Sequence, residues 1–256
     1  MKGTGFFISL EAIDCLGKTT QAELLEKELR SLGYDVYMTK EPGDRKQGSA
    51  VGQGIRDILF HTVTTHSMRP GVADLLFLAD HIQNAGDVKD AVAQGKIVLS
   101  DRYADSQFAY VAAGNRKCPE GILKAYRDQY GIVPDLTILF VARGPSGGTL
   151  DSLPPQTLPE DISWALARNT KRSALEQEKQ AGKSWNNVED QRRIQNAYLH
   201  QLANKPRTHV INVWSDTTVA DIHSIVMDIV HQRLLARELH AITQLPLFSE
   251  QPQQAA

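Results

Sequence analysis

Lys18, Thr19 and Thr20 follow directly on Gly17 and close the run FFISLEAIDCLGKTT that begins at Phe6. These residue types in this order suit the capture of a polyphosphate. A glycine lets the backbone approach the anion, and the free N–H groups and positive dipole end of an opening helix face it. A lysine supplies a mobile cation, and a threonine hydroxyl is offered to magnesium. The run therefore predicts that Asp14, Cys15, Leu16, Gly17, Lys18, Thr19 and Thr20 hold ATP, with Mg2+ at Thr19. The apolar stretch 6–10 reads as the strand before the loop and QAELLEKELRSL as the helix after it. In one respect the pattern G-x-x-x-x-G-K-[ST] is broken, because its first glycine is Ala12, so a Cβ must be accommodated where the position is usually bare.

The elements that must position this loop are legible along the rest of the chain. Apolar runs at 6–10, 34–39, 97–100, 136–141 and 209–213 read as five strands. Helical periodicity separates them at 19–32, 51–59, 73–93, 106–113, 121–130, 162–180 and 188–202, and a last helix runs over 219–242. Such alternation is what a parallel sheet with crossover helices requires, and ligands in such sheets collect at the carboxyl ends of the strands. Between 143 and 159 the composition turns to Gly, Pro and Ser, reading as a surface insertion. With 256 residues, 41% of them hydrophobic, the chain is long enough for one substantial core. A net charge of −2 without a long basic block disfavours direct nucleic-acid binding. No apolar stretch approaches bilayer length, which excludes a membrane span and predicts a soluble, cytoplasmic protein. The two cysteines, Cys15 and Cys118, offer neither metal-ligand spacing nor a disulfide framework.

Three further segments lie at the predicted strand ends. The second strand runs into Thr39-Lys40-Glu41-Pro42-Gly43, the helix before the third strand carries LLFLADHIQN, and the third strand ends in Asp101-Arg102-Tyr103 followed by ADSQFAYVAAG. Moving a γ-phosphoryl group onto a phosphate acceptor needs charge neutralisation and alignment more than covalent chemistry. The planar fork of Arg102 suits the acceptor phosphate, and Asp101 is in place for the metal or its water shell. Together with the loop, these segments resemble the thymidylate kinase family of nucleoside monophosphate kinases over most of the chain.

The resemblance implies the P-loop NTPase fold: an α/β three-layer sandwich with a five-stranded parallel sheet and helices on both faces. It implies a kinase domain over 1–235 with a lid-type insertion at about 143–187, a homodimer, and transfer from Mg-ATP to a pyrimidine deoxynucleoside monophosphate, dTMP above all. It places Asp14 beside the acceptor sugar, Glu41 in the loop shaping the acceptor site, Arg56 and Ser106 near the acceptor, and Phe77 and Tyr110 against the base. Periodicity alone would put Phe77 in the core. The lid cation is expected from PEDISWALARNTKRSALEQ, at Arg168, Lys171 or Arg172, since the loop itself carries Cys15 and Leu16. His81 stands where the family usually has an arginine reading the base edge, and Val111 where a polar residue is common. A histidine cannot reproduce an arginine fork, so the base is left open among thymine, uracil and modified pyrimidines. With Ala12 added, a catalytically weak or inactive nucleotide-binding protein is an alternative. A deoxynucleoside kinase is another, and would need a carboxylate base near a 5′-hydroxyl.

Residues 236–256 form the end of the last helix and a polar tail. The tail contains Gln244-Leu245-Pro246-Leu247-Phe248, similar to the bacterial sliding-clamp-binding pentapeptide. That resemblance implies a rim hydrogen bond from Gln244 and apolar anchors at Leu245, Leu247 and Phe248.

Overall fold

Strands buried on both faces are mostly apolar, and the three central strands of this chain are, with polar residues only at Ser9, Ser100 and Thr137 and at the carboxyl ends Glu11 and Asp101. The computed structural model describes residues 5–43, 48–62, 68–69, 71–114, 120–144, 157–168 and 187–243. Its strands are β1 Phe6–Glu11, β2 Val36–Lys40, β3 Ile97–Asp101, β4 Leu136–Ala142 and β5 Thr208–Val213. Every residue of β1, β3 and β4 is buried. The five pair in parallel in the order β2-β3-β1-β4-β5, so each step along the chain needs a crossover.

Helices supply those crossovers. They are α1 Lys18–Ser31, α2 Ala50–Asp57, α3 Val72–Ala93, α4 Ala104–Ala112, α5 Glu120–Tyr130, α6 Pro159–Ala167, α7 Val188–Leu202 and α8 Val219–Thr243. A π-helical turn, Ile58–Thr62, continues α2. Strand alternation divides the core into layers. Phe6, Ile8 and Leu10 pack with Leu25 and Leu29 of α1 and Val226 and Val230 of α8. Phe7 and Val98 turn the other way, onto Val88 and Ala91 of α3.

The helix expected over 162–180 begins earlier, at Pro159. A proline is pre-organised for the first helical turn, where its missing N–H goes unused. The far end of that expected helix, 169–180, lies outside the described residues, as do the parts of the predicted insertion at 145–156 and 181–186. Among the described residues, no helix is long and apolar enough to cross a membrane.

The parallel register decides what meets at the carboxyl edge. Asp101 of β3 sits opposite both Leu10 of β1 and Lys40 of β2. Two further bonds extend the ladder, Arg102 N–H to Leu10 O at 3.0 Å and Glu41 N–H to Asp101 O at 3.2 Å. Glu11, the last residue of β1, and Arg102 and Glu41, which follow β3 and β2, are thereby brought to the same edge.

The entry to β1 is tight against α3. A Cβ on Gly5 would lie 2.3 Å from Val92 O and 2.5 Å from Val92 Cα. Both are backbone atoms that cannot swing aside, so Gly5→Ala is expected to destabilise the fold by about 1–3 kcal/mol. A urea-unfolding midpoint equal to that of the parent chain would contradict this packing.

Candidate active site

The loop between β1 and α1 ends in Gly17, whose φ of 83° lies in the left-handed region that glycine adopts without penalty. No acidic residue sits in the first turn of α1, so the positive end of that helix is left for an anion. Lys18 is 6% exposed, and its Nζ donates to Ile13 O at 2.9 Å. Burial first, and then the neighbouring Arg102 guanidinium, push the Lys18 ammonium down to about 8. Thr19 donates its hydroxyl to Asp101 Oδ2 at 2.5 Å, and Lys40 Nζ lies 3.1 Å from the same oxygen. Burial alone would raise the Asp101 carboxyl. Lys40, Lys18, the Thr19 hydroxyl and Arg102 outweigh it and hold the group below the usual carboxylate range.

Ala12 resolves the broken glycine pattern. The left-handed residues among those described do not include it, and its methyl is buried in the main core. The position needs no glycine here because it needs no positive φ. Left-handed backbone instead falls on Cys15, at φ 70°. Leu16 is fully buried, so its side chain anchors the loop in the core.

Arg102 is the second left-handed non-glycine residue of the site, at φ 74°. Its guanidinium is held from several sides. Nη2 donates to Asp14 Oδ1 at 2.6 Å, while Nη1 reaches Ala12 O at 2.8 Å, Tyr198 OH at 3.1 Å and Ser106 Oγ at 3.3 Å. The Tyr110 ring centroid lies 5.7 Å from Cζ. Beneath this cation Glu11 is fully buried, accepting from Tyr103 N–H at 2.9 Å and Ser106 Oγ–H at 2.6 Å. Burial, followed by the nearby Asp105, pushes the Glu11 carboxyl up to about 8. Asp105 itself is paired with Arg207 at 2.7 Å.

Lys18, Thr19, Asp101 and Arg102 line one cleft of about 1070 Å³, open mouth included. At one end are Asp14, Cys15, Gly17, Lys18, Thr19 and Thr20; Asp101 and Arg102 lie between; Glu41, Arg56, Phe60, Phe77, Ser106, Gln107 and Tyr110 complete the other end. Phe77 joins both surfaces, since its ring is 7% exposed, lines the cleft and packs with Ile55 and Leu59. Arg56 donates to Pro42 O at 2.9 Å and stands 5.4 Å over the Phe60 ring.

Two expected positions fall elsewhere. His81 does not line the cleft: it is 1% exposed and its Nδ1 lies 2.8 Å from Glu41 Oε1. A histidine is too short to pass Glu41, so its ring stays under the floor. Arg168 lies across a second cavity of about 530 Å³, lined also by Gly17, Thr20, Gln21, Thr217, Thr218 and Val219. There it donates to Ser215 O at 3.2 Å and stands 4.7 Å over the Trp164 ring. Val111 packs towards Leu78 and Leu123. Lys171, Arg172, Gln244, Leu245, Leu247, Phe248 and Cys118 lie outside the described residues.

Several lining or supporting groups were not foreseen from sequence. Lys40 and Gln107 could have been, since they adjoin motif residues. Gln107 Nε2 donates to Phe77 O at 3.0 Å, which leaves its Oε1 for the cleft. Tyr198 and Gln191, which accepts from Asp14 N–H at 3.1 Å, carry no local signal, being far along the chain on α7.

Comparison with known proteins agrees with this geometry. Residues 10–145 match the family model described as thymidylate kinase. A thymidylate kinase of Bifidobacterium longum subsp. infantis is 32% identical over 236 residues, spanning 88% of this chain and 89% of that protein. One from Thiobacillus denitrificans is 32% identical over 231 residues, covering 88% and 98%. In fold, the solved thymidylate kinase of Ehrlichia chaffeensis aligns with a TM-score of 0.61 at 22% identity, over 90% of this chain and 99% of that one. With its phosphate loop, strand-end arginine and cleft in one register, and these relatives matched along most of its length, the chain belongs to the thymidylate kinase family.

Proposed function

We propose that this chain transfers the γ-phosphoryl group of ATP to the phosphate of dTMP, giving ADP and dTDP. The observation carrying this reading is a single cleft with a phosphate loop at one end, an aromatic wall at the other and Arg102 between them. An oxygen of the acceptor phosphate attacks the γ-phosphorus as the bond to the ADP oxygen breaks. That phosphate is already anionic, so no general base is required, and alignment with charge neutralisation is the protein's task. Lys18 and the N–H groups opening α1 would hold the donor phosphates. Arg102, braced by Asp14, would draw in the acceptor phosphate, and Phe77 and Tyr110 would pack against the base. The Thr19 hydroxyl and Asp101 carboxylate form a hard-oxygen pair suited to Mg2+, an ion usually bound through one or two protein groups plus phosphate oxygens. When bound, Mg2+ supplies neutralisation of the phosphate charge. Arg168, beside the second cavity, would serve the donor nucleotide rather than the acceptor.

Base selection follows from Gln107. One of the two amide N–H groups is given to Phe77 O, which fixes the orientation of the amide, and its oxygen is an acceptor that suits the N3–H of a 4-oxo pyrimidine. Cytosine presents a bare N3 there. A 5′-hydroxyl acceptor is not favoured, because the strand-end carboxylate Glu41 is occupied by His81 and Asn84.

Two associations belong to the same reading. A homodimer is supported by large apolar side chains left exposed on α3 and α5, among them Leu75 and Ile122. Docking of the QLPLF tail to a sliding clamp is supported by its motif alone.

ADP release from Mg-ATP should appear with dTMP and dUMP and stay near background with dCMP and thymidine. Silence with every monophosphate would sink the reading. Lys18→Ala should lower turnover by at least about a hundredfold. Gln107→Leu should cut kcat/KM for dTMP by about tenfold and leave dCMP unchanged. Triphosphate binding should also consume a proton at high pH. The free Lys18 ammonium titrates at about 8, and bound phosphate favours its charged form. Affinity therefore holds below that pH and weakens above it by about tenfold per unit. Calorimetry at pH 9 in buffers of different ionisation enthalpy reads the proton uptake directly; none would contradict the assignment.

A further inference from the structure

The turn Glu41-Pro42-Gly43 forms part of the cleft wall, yet most of what fixes it comes from outside the cleft. On α3, His81 Nδ1 meets Glu41 Oε1 at 2.8 Å and Asn84 Nδ2 donates to the same oxygen at 2.8 Å. Asn84 is in turn held by the Thr39 hydroxyl. Asp80 Oδ1 accepts from Gly43 N–H at 3.2 Å, and on α2 Arg56 donates to Pro42 O at 2.9 Å. Each residue of the turn thus has at least one tether, and Glu41 has two. Gly52 of α2 closes the back, since a Cβ there would lie 2.5 Å from Asp80 Oδ1 and 3.1 Å from Gly43 Cα.

The cluster is buried and its charges are finely balanced. Glu41, Asp80 and His81 are 5%, 2% and 1% exposed. Glu41 Oε2, Asp80 Oδ2 and His81 Nε2 are buried without a hydrogen-bond partner. Two carboxyls therefore share one imidazole in a low-dielectric site, where an unpaired charge is expensive. The other charged or titratable groups acting on the cluster are few. Tyr103, after β3, has its ring 4.8 Å from the His81 ring. Asp105 of α4 is paired with Arg207, and Arg56 stands on the α2 side. Among the described residues, no group of three His, Cys, Asp or Glu side chains is arranged to hold a metal. The cluster's variable is the proton.

We propose that His81 is a positioning residue: as an imidazolium it draws Glu41 beneath the floor of the cleft and, with Asp80 on Gly43, sets the 41–43 turn against which the acceptor nucleotide packs. This rests on the acceptor site assigned above. Loss of the His81 proton leaves Glu41 with neutral side-chain donors only and removes the positive charge that Glu41 and Asp80 both favour. The turn then loosens towards the cleft, and acceptor binding weakens while donor binding does not. Burial opposes the charge on His81, but Glu41 and Asp80 together raise its affinity for a proton. The charged form therefore persists to higher pH than on an ordinary histidine and is lost as the pH rises beyond that raised range.

The test is dTMP and ATP affinity by calorimetry across pH 6 to 9 for the parent chain, His81→Gln and His81→Arg, with the histidine ring titrations followed by NMR. Glutamine keeps a donor to Glu41 but cannot be charged; arginine is charged throughout. Expected is dTMP affinity in the parent that falls with rising pH, ATP affinity equal in all three proteins at neutral pH, and a His81→Gln protein about tenfold weaker for dTMP at pH 6.5 with that pH limb absent. His81→Arg, whose charge does not titrate, should likewise lack the limb. A parent limb retained in His81→Gln, or equal losses for dTMP and ATP, would overturn the proposal. If dTMP binds none of the proteins, the acceptor assignment itself fails. The NMR titration then decides separately, because a His81 ring that stays neutral down to pH 6 excludes the imidazolium.

Discussion

An arginine in a backbone conformation that costs about 1–2 kcal/mol is the constraint on which this site depends. Arg102 adopts its positive φ directly after β3, and its N–H still bonds to Leu10 O, so the chain turns sharply without leaving the sheet. The turn points the guanidinium back across β1, where Ala12 O, Asp14, Ser106 and Tyr198 receive it. A residue in the extended conformation would continue the strand instead and carry its cation past the phosphate loop. Strain at one residue is thus held in place by four hydrogen bonds, and the position of the cation is the result.

Charge in the cleft is arranged by depth. Asp101, close to the phosphate loop, is surrounded by cations and stays ionised, while Glu11, deeper and with an acidic neighbour, is driven towards its protonated form. The difference arises because Lys40, Lys18 and Arg102 converge on Asp101, whereas burial and Asp105 dominate at Glu11. One carboxylate can attract a cation; the other organises Ser106, Tyr103 and Tyr198 as a hydrogen-bonded floor.

The sheet was readable from sequence because parallel strands covered on both sides admit few polar residues, which makes β1, β3 and β4 largely apolar runs that turn polar only near their carboxyl ends or at a single position. The phosphate loop was readable because its chemistry is local. Legibility stops where partners are remote: Tyr198 reaches Arg102 across 96 positions and Gln191 reaches Asp14 across 177. His81 shows a different limit. Its place in LLFLADHIQN suggests the base, but side-chain length decides which side of Glu41 it occupies. Arg168 was read as a phosphate cation from its helix, and only the fold reveals that α6 delivers it beside Ser215 and Trp164. The concern raised by Ala12 disappears for a backbone reason that no side-chain pattern encodes.

The cationic side chains of the phosphate end are each already committed to a protein oxygen: Lys18 to Ile13 O, Lys40 to Asp101 and Arg102 to Asp14. Immobilising a flexible side chain on binding costs about 0.5–1.5 kcal/mol, and here that loss of freedom has been absorbed in folding. Ligand oxygens would replace protein oxygens at cations that scarcely move. Nucleotide capture becomes an exchange of partners within a stiff frame, so selectivity between anions is governed by how well an incoming oxygen geometry matches the one it displaces.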